Sequence, residues 1–181
     1  MISGIVASKS TQLPKVAAKV PNGAKPESRV KRFARWLDNA RILEEVYFLP
    51  YAEILLAHLA LETLVLVMDG SVAGCGCVAL MLHVLYKGRA LPLAWRVRQG
   101  PKGHFPEALH IALVDLVRAC LPEGPPVVLL GDSEFDGTTL QQTLQEAGGG
   151  YACRTAQNTV ATWAGETFRL DALGACSNQW C

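Results

Sequence analysis

Short apolar runs alternate with longer stretches in which apolar residues recur every three to four positions. Leu64-Val65-Leu66-Val67-Met68 runs into Asp69, and Pro126-Val127-Val128-Leu129-Leu130-Gly131 runs into Asp132. Runs of this length, rich in Val and Leu, predict buried strands. Residues 75–86, 90–97 and 151–155 read as further strands, and Lys87-Gly88-Arg89 as a turn between two of them. Gly70 and Gly74 allow a turn after the first strand. Helical spacing predicts helices over 51–61, 106–121 and 138–146, with Leu109, Ala112, Leu113 and Leu116 on the inner face of the second. A short hairpin is expected over 158–170.

The N-terminal part reads differently. Residues 1–27 are punctuated by Ser, Thr, Pro, Asn and Gly and show no lasting helical stripe, which predicts a flexible leader. From Ser28, an expected N-cap, Val30, Phe33 and Leu37 share one face of a helix while Arg29, Arg32 and Arg35 run along another. The expected organisation is a leader over 1–27, a helical region over 28–62 and an α/β core over 63–181. In the core the order is β-β-β-α-β-α-β. A meander followed by alternating elements predicts a mixed five-stranded sheet, order 3-2-1-4-5, with helices on its faces. That order makes the first and fourth strands parallel neighbours and brings Asp69 beside Asp132. Two close anions repel unless a cation lies between them, so the pair suits a divalent metal.

Charge sharpens this picture. Residues 1–41 hold nine Lys/Arg against two acids, and the remainder eight against fourteen, so a net charge of +1 divides into +7 and −6. A basic arm on an acidic body points to a polyanion such as nucleic acid. Lys31 lies among the helix arginines, Lys102 and His104 lie in a loop near the third expected strand, and Arg154 lies at the end of the fifth. No apolar run is long enough to span a membrane, since His58 and Glu62 interrupt the longest, over 54–68. With no secretory signal pattern at the N-terminus, the chain reads as cytoplasmic. The six cysteines, Cys75, Cys77, Cys120, Cys153, Cys176 and Cys181, are then expected as reduced thiols. Cys75 and Cys77 would share one strand face, without a second pair to complete a zinc site. His58, His83 and His110 fall within regular elements and read as core or surface residues, Trp36 and Trp95 as packing residues. Asp136 is expected to cap the following helix, and Glu134 to lie at the surface or behind the acids.

In this order the segments SRVKRFARWLDN (28–39), LVLVMDGS (64–71), YKGRALPLAWRV (86–97), GPKGHFPEAL (100–109), VVLLGDSEFDG (127–137) and YACRTAQN (151–158) resemble a DDE-type insertion-sequence transposase. The match covers most of residues 28–170. The resemblance implies a ribonuclease H-like catalytic core, Asp69 and Asp132 as the first two catalytic and metal-binding carboxylates, and Mg²⁺ or Mn²⁺ as cofactor. It also implies DNA at the element ends as partner, a homodimer or a mixed assembly with full-length transposase, and a nucleoid-associated location. The third acid of that family is a glutamate on a later helix. The residues up to Cys181 show no such helix, and Glu166 lies in an expected hairpin turn, so weak metal binding is expected. A truncated transposase that binds DNA without cutting it is the competing reading. A haloacid dehalogenase-like phosphatase fits less well, because Val67 stands where its nucleophilic aspartate is required.

Overall fold

The computed structural model describes residues 1–21, 23–59, 63–101, 105–156 and 158–173. The chain forms two compact units, Met1–Phe48 and Leu49–Cys181.

The first unit is helical: α1 (Ile2–Ser8), α2 (Leu13–Lys19), α3 (Pro26–Leu37) and α4 (Glu44–Tyr47). Residues 1–27, expected to show no lasting helical stripe, contain α1, α2 and the start of α3. Val16 and Ala17 of α2 are fully buried with Phe33 of α3, and Met1, Ile5, Leu13, Val20 and Val30 pack around them. Helices this short are marginal alone and gain their stability from the shared core. Gly4 permits the close approach of α1 to α2, because a Cβ there would stand 2.7 Å from the Val16 carbonyl oxygen. Helix α3 begins earlier than expected. Lys25 is its N-cap and Pro26 opens its first turn, so Ser28 lies inside it. Trp36 is 46 % exposed, which corrects its reading as a packing residue.

The second unit opens with α5 (Leu49–Leu59), then β1 (Leu64–Gly74), β2 (Cys77–Tyr86), β3 (Arg89–Gln99), α6 (Glu107–Arg118), β4 (Val127–Gly131), α7 (Thr138–Glu146) and β5 (Gly150–Cys153). A hairpin of β6 (Val160–Trp163) and β7 (Glu166–Arg169) follows, and a 3₁₀ turn over Leu170–Leu173. The five-stranded sheet has the order β3-β2-β1-β4-β5, as expected. Strands β1, β2 and β3 run antiparallel, while β4 and β5 run parallel to β1.

Strand β1 does not stop at Asp69. It continues to Gly74, and the reversal falls on Cys75 (φ 52°) and Gly76 (φ 70°). Two consecutive positive φ values match the type I′ turn whose twist suits a two-residue hairpin. Lys87-Gly88 and Ala164-Gly165 repeat the device. Cys75 therefore sits in a turn, and the expected shared strand face with Cys77 is not formed. Glu166 opens β7 rather than lying in the turn.

One face of the sheet is sealed. Leu64, Leu66 and Met68 of β1 are each 2 % exposed, and Leu80, Leu82, Val84 and Leu129 are equally hidden. With them are buried Leu113, Val114 and Val117 of α6 and Leu140 and Leu144 of α7. Ala112, expected on the inner face of α6, is exposed. The alternate residues Val65, Val67, Met81, Val128 and Leu130 are only half-buried. No helix among the described residues is long and apolar enough to cross a membrane.

Candidate functional site

Four apolar pairs set the register of β1 against β4: Leu64 with Val127, Val65 with Val128, Leu66 with Leu129 and Val67 with Leu130. Two residues further along both chains come Asp69 and Asp132. Paired positions on neighbouring strands put their side chains on the same face, with strand axes about 4.8 Å apart. Both aspartates are exposed, and Asp69 alternates along β1 with the buried Met68 and Gly70, on the face of the half-buried Val65 and Val67. The two strands are parallel neighbours as expected, with Asp69 inside β1 and Asp132 just past the end of β4.

Each carboxylate is oriented locally. The Ser71 hydroxyl, two residues on and on the same face, donates to Asp69 Oδ2 at 3.2 Å. Asp132 Oδ1 accepts the Glu134 backbone N–H at 2.9 Å, and its carbonyl accepts that of Phe135 at 3.1 Å. This Asx turn is a short-range way for aspartate to start a loop. Gly131 leaves no room before it, because a Cβ there would lie 2.7 Å from Cys153 Sγ and 2.9 Å from Phe135 Cβ.

The loop from Asp132 to Gly137 is then held by distant elements. Glu134 Oε1 accepts the Phe105 backbone N–H at 2.7 Å, ahead of α6. Glu107 Oε1 accepts the Leu140 N–H at 2.9 Å, inside the first turn of α7. The N-cap of α7 is Gly137, which has no side chain, so α6 supplies the capping acceptor. Asp136 does not cap the helix as expected; its carbonyl accepts from Gln141 Nε2 at 3.0 Å. From β5, the Tyr151 hydroxyl donates to the Phe135 carbonyl at 3.1 Å. Sequence reasoning missed Glu107 because its partner lies 33 residues away and no local pattern marks it.

Burial shapes the titration of the neighbouring groups. His110, 2 % exposed, meets the Phe135 ring edge-on at 4.9 Å, and its Nε2 has no partner among the described residues. Desolvation holds its pKa below the ordinary value against the opposing pull of Glu134 and Glu107. Burial likewise pushes up the Cys153 thiol, with Asp136 and Asp132 adding to the effect. It pushes up the Tyr151 phenol too, assisted by its hydrogen bond with Cys153. Neither is a ready nucleophile at neutral pH.

Of the expected DNA contacts, Arg154 follows β5. Its backbone N–H donates to the Gly131 carbonyl at 3.1 Å, just past the last paired residues of β4 and β5, Gly131 and Cys153, and its side chain is exposed. Lys31, Arg32 and Arg35 are exposed on α3, in the other unit. Arg29 is half-buried there, and its guanidinium donates to the Val20 carbonyl at the C-terminal end of α2. It ties two helices together. Lys102 and His104 lie outside the described residues.

No protein-family model matches the chain, and no curated protein matches it.

The donor set is what the geometry offers to a cation. Mg²⁺ is commonly held by one or two carboxylates, with waters and substrate phosphates completing the octahedron. Asp69 and Asp132 are carboxylates of the kind that pattern uses. Among the described residues, no group of three His, Cys, Asp or Glu forms a closed metal cage. The antiparallel β2 and β3 beside β1 also depart from the doubly wound parallel sheet of the phosphatase alternative.

Proposed function

We propose that the chain is part of a metal-dependent DNA strand-transfer enzyme of the DDE transposase type, built on a ribonuclease H-like sheet. The supporting observation is the parallel register that pairs Val67 with Leu130, two residues before Asp69 and Asp132. Asp69 and Asp132 would hold Mg²⁺ or Mn²⁺, which when bound supplies charge neutralisation for the attacking and leaving oxygens at phosphorus. The chain's own residues prepare that place. Ser71 fixes one carboxylate, the Asx turn fixes the other, and Arg154 offers a positive charge to a phosphate beside them. Lys31, Arg32 and Arg35 of α3 add phosphate contacts, which give affinity without base specificity. DNA at element ends is the proposed partner, with a homodimer or a mixed assembly with full-length transposase as the working state, in the cytoplasm at the nucleoid.

The third carboxylate of this chemistry is assigned to no described residue. Residues 1–181 are accordingly proposed to bind metal weakly and to transfer strands poorly by themselves. The same observation favours a second reading, a truncated transposase that occupies DNA or joins full-length subunits as an inhibitor. Supercoiled plasmid incubated with the protein in Mg²⁺ or Mn²⁺ separates the two. Slow nicking that is lost in Asp69→Ala supports the catalytic reading. Salt-sensitive DNA binding with no nicking supports the inhibitor. Protein that neither binds nor cuts DNA defeats both.

A further inference from the structure

One buried polar group beside the Asp132 loop has no structural duty. His110 of α6 is 2 % exposed, and its Nε2 has no hydrogen-bond partner among the described residues. Its ring meets that of Phe135 edge-on, at 4.9 Å and 67° between planes. Phe135 is fully buried in the middle of the loop, and its N–H bonds back to the Asp132 carbonyl. An unpartnered ring nitrogen is a modest cost while the ring is neutral. A buried charge without a counter-ion is a far larger one. A proton on His110 is therefore tolerated only if an acceptor turns to it.

Two acids act on the ring, Glu134 in the loop and Glu107 three residues before it on α6. Both are already engaged. Glu134 Oε1 accepts the Phe105 N–H at 2.7 Å, and Glu107 Oε1 accepts the Leu140 N–H at 2.9 Å. The other Glu134 oxygen stands 3.8 Å from the place that a Cβ on Gly70 would take, so this carboxylate lies against β1 one residue past Asp69. The Glu134 backbone N–H in turn holds Asp132 Oδ1 at 2.9 Å. The other polar groups around the loop are directed elsewhere. Tyr151 and Cys153 of β5 donate to the Phe135 carbonyl, Asp136 and Asp132 act on Cys153, and Arg98 of β3 lies over the Phe105 ring at 5.9 Å.

We propose that His110 is a proton-operated latch on the loop that carries Asp132. While neutral, it leaves Glu134 and Glu107 to their backbone partners, and the loop is held. Once protonated, its Nε2–H competes for those carboxylates. The Phe105 and Leu140 N–H groups then lose their acceptors, and the Asx turn that orients Asp132 loosens. Mild acid thus frees the loop while the sheet stays folded. The consequence for metal and phosphate chemistry rests on the function proposed above; the latch itself does not.

The test follows the full chain, without metal or DNA, by ¹H–¹⁵N NMR from about pH 7.5 to about pH 5, above the ordinary glutamate range. The His110 ring proton reports its own titration. The Phe105 and Leu140 amide protons are expected to move upfield with the same midpoint, as each loses a hydrogen bond to a carboxylate. The amides of Leu66 and Leu129, in the paired strands, should stay in place. In His110→Leu neither reporter amide should move. In Glu134→Gln the Phe105 amide should no longer follow His110, while that of Leu140 still does; this second variant carries the comparison if His110→Leu does not fold. A His110 ring that stays neutral throughout, or one that titrates while both amides hold still, overturns the latch. Either result leaves the functional reading to be decided by the plasmid assay.

Discussion

Asp69 follows Val67 by two residues on β1, and Asp132 follows Leu130 by two at the end of the adjacent parallel β4, where Val67 and Leu130 are a register pair. Like charges set opposite each other in a sheet destabilise it by about 0.2–1 kcal/mol. Asp69→Asn and Asp132→Asn should each therefore raise the melting temperature in EDTA, by about 1–4 °C for a domain of this size. Mg²⁺ should stabilise the unsubstituted protein and leave both variants unmoved, because binding to the native state alone shifts the folding equilibrium. Calorimetry with and without the ion checks this. Identical melting curves for all three proteins in both buffers would remove the case for a shared cation.

The carboxylate of Glu107 replaces the missing side chain at the N-cap of α7. Glu107→Ala should cost about 0.5–2 kcal/mol, the range for loss of an N-cap acceptor. Gly137→Ala should cost a similar amount by another route, because its Cβ would stand 2.2 Å from Glu107 Oε1 and drive the acceptor off Leu140. In the double variant the two losses should not add, since one substitution has already removed what the other disturbs. Urea titration of the four proteins measures the coupling, and simple additivity would show that the two residues act independently.

His110 links stability to pH. Burial keeps its folded-state pKa below the ordinary 6.5. As the pH falls through that ordinary value, the unfolded chain takes up the proton first, so the unfolded state gains on the native one. The stability that neutral His110 allows is complete above about pH 6.5 and declines from there down to the folded pKa. His110→Leu removes the titrating ring and should flatten the fall in melting temperature between neutral and mildly acidic buffer. Parallel slopes for the variant and the unsubstituted protein would assign the pH dependence to other groups.

The arginines of α3 should separate into two kinds. Lys31→Ala, Arg32→Ala and Arg35→Ala together should weaken DNA binding and reduce the slope of log K against log salt by up to about 2.7, or 0.9 per lost duplex phosphate contact. Melting behaviour should change little, since all three side chains are exposed. Arg29→Ala should instead lower the stability of the helical unit, because its guanidinium holds the end of α2. A salt slope unaltered by the triple substitution would exclude α3 as the DNA contact.

Much of the sheet was legible because apolar runs and their separators carry strand order directly. The valine-rich runs before Asp69 and Asp132, with a meander between them, suffice to predict parallel neighbours. The exact end of β1 was not legible, because Gly70 and Gly74 are as good turn formers as Gly76. Only the paired positive φ values at Cys75 and Gly76 show where the reversal falls. Helices α1 and α2 escaped notice for a related reason. Each has seven residues, too few for a periodic stripe, and Val16 and Ala17 are apolar positions that only a neighbouring helix explains. Around the acids, the Asx turn at Asp132 is local and can be read from Asp-Ser-Glu. The grip of Glu134 on Phe105 and of Glu107 on Leu140 spans 29 and 33 residues, and no short window contains it.

The pairing of Leu64–Val67 with Val127–Leu130 has a consequence that reaches past stability. Side chains on a strand alternate between faces, so a slip of one residue would send one carboxylate into the helix-covered interior and leave its companion in solvent. Eight hydrocarbon side chains thus act as the ruler for the two acids that follow them. Substitutions among them that preserve folding yet loosen this alignment would silence the centre with both acids still present.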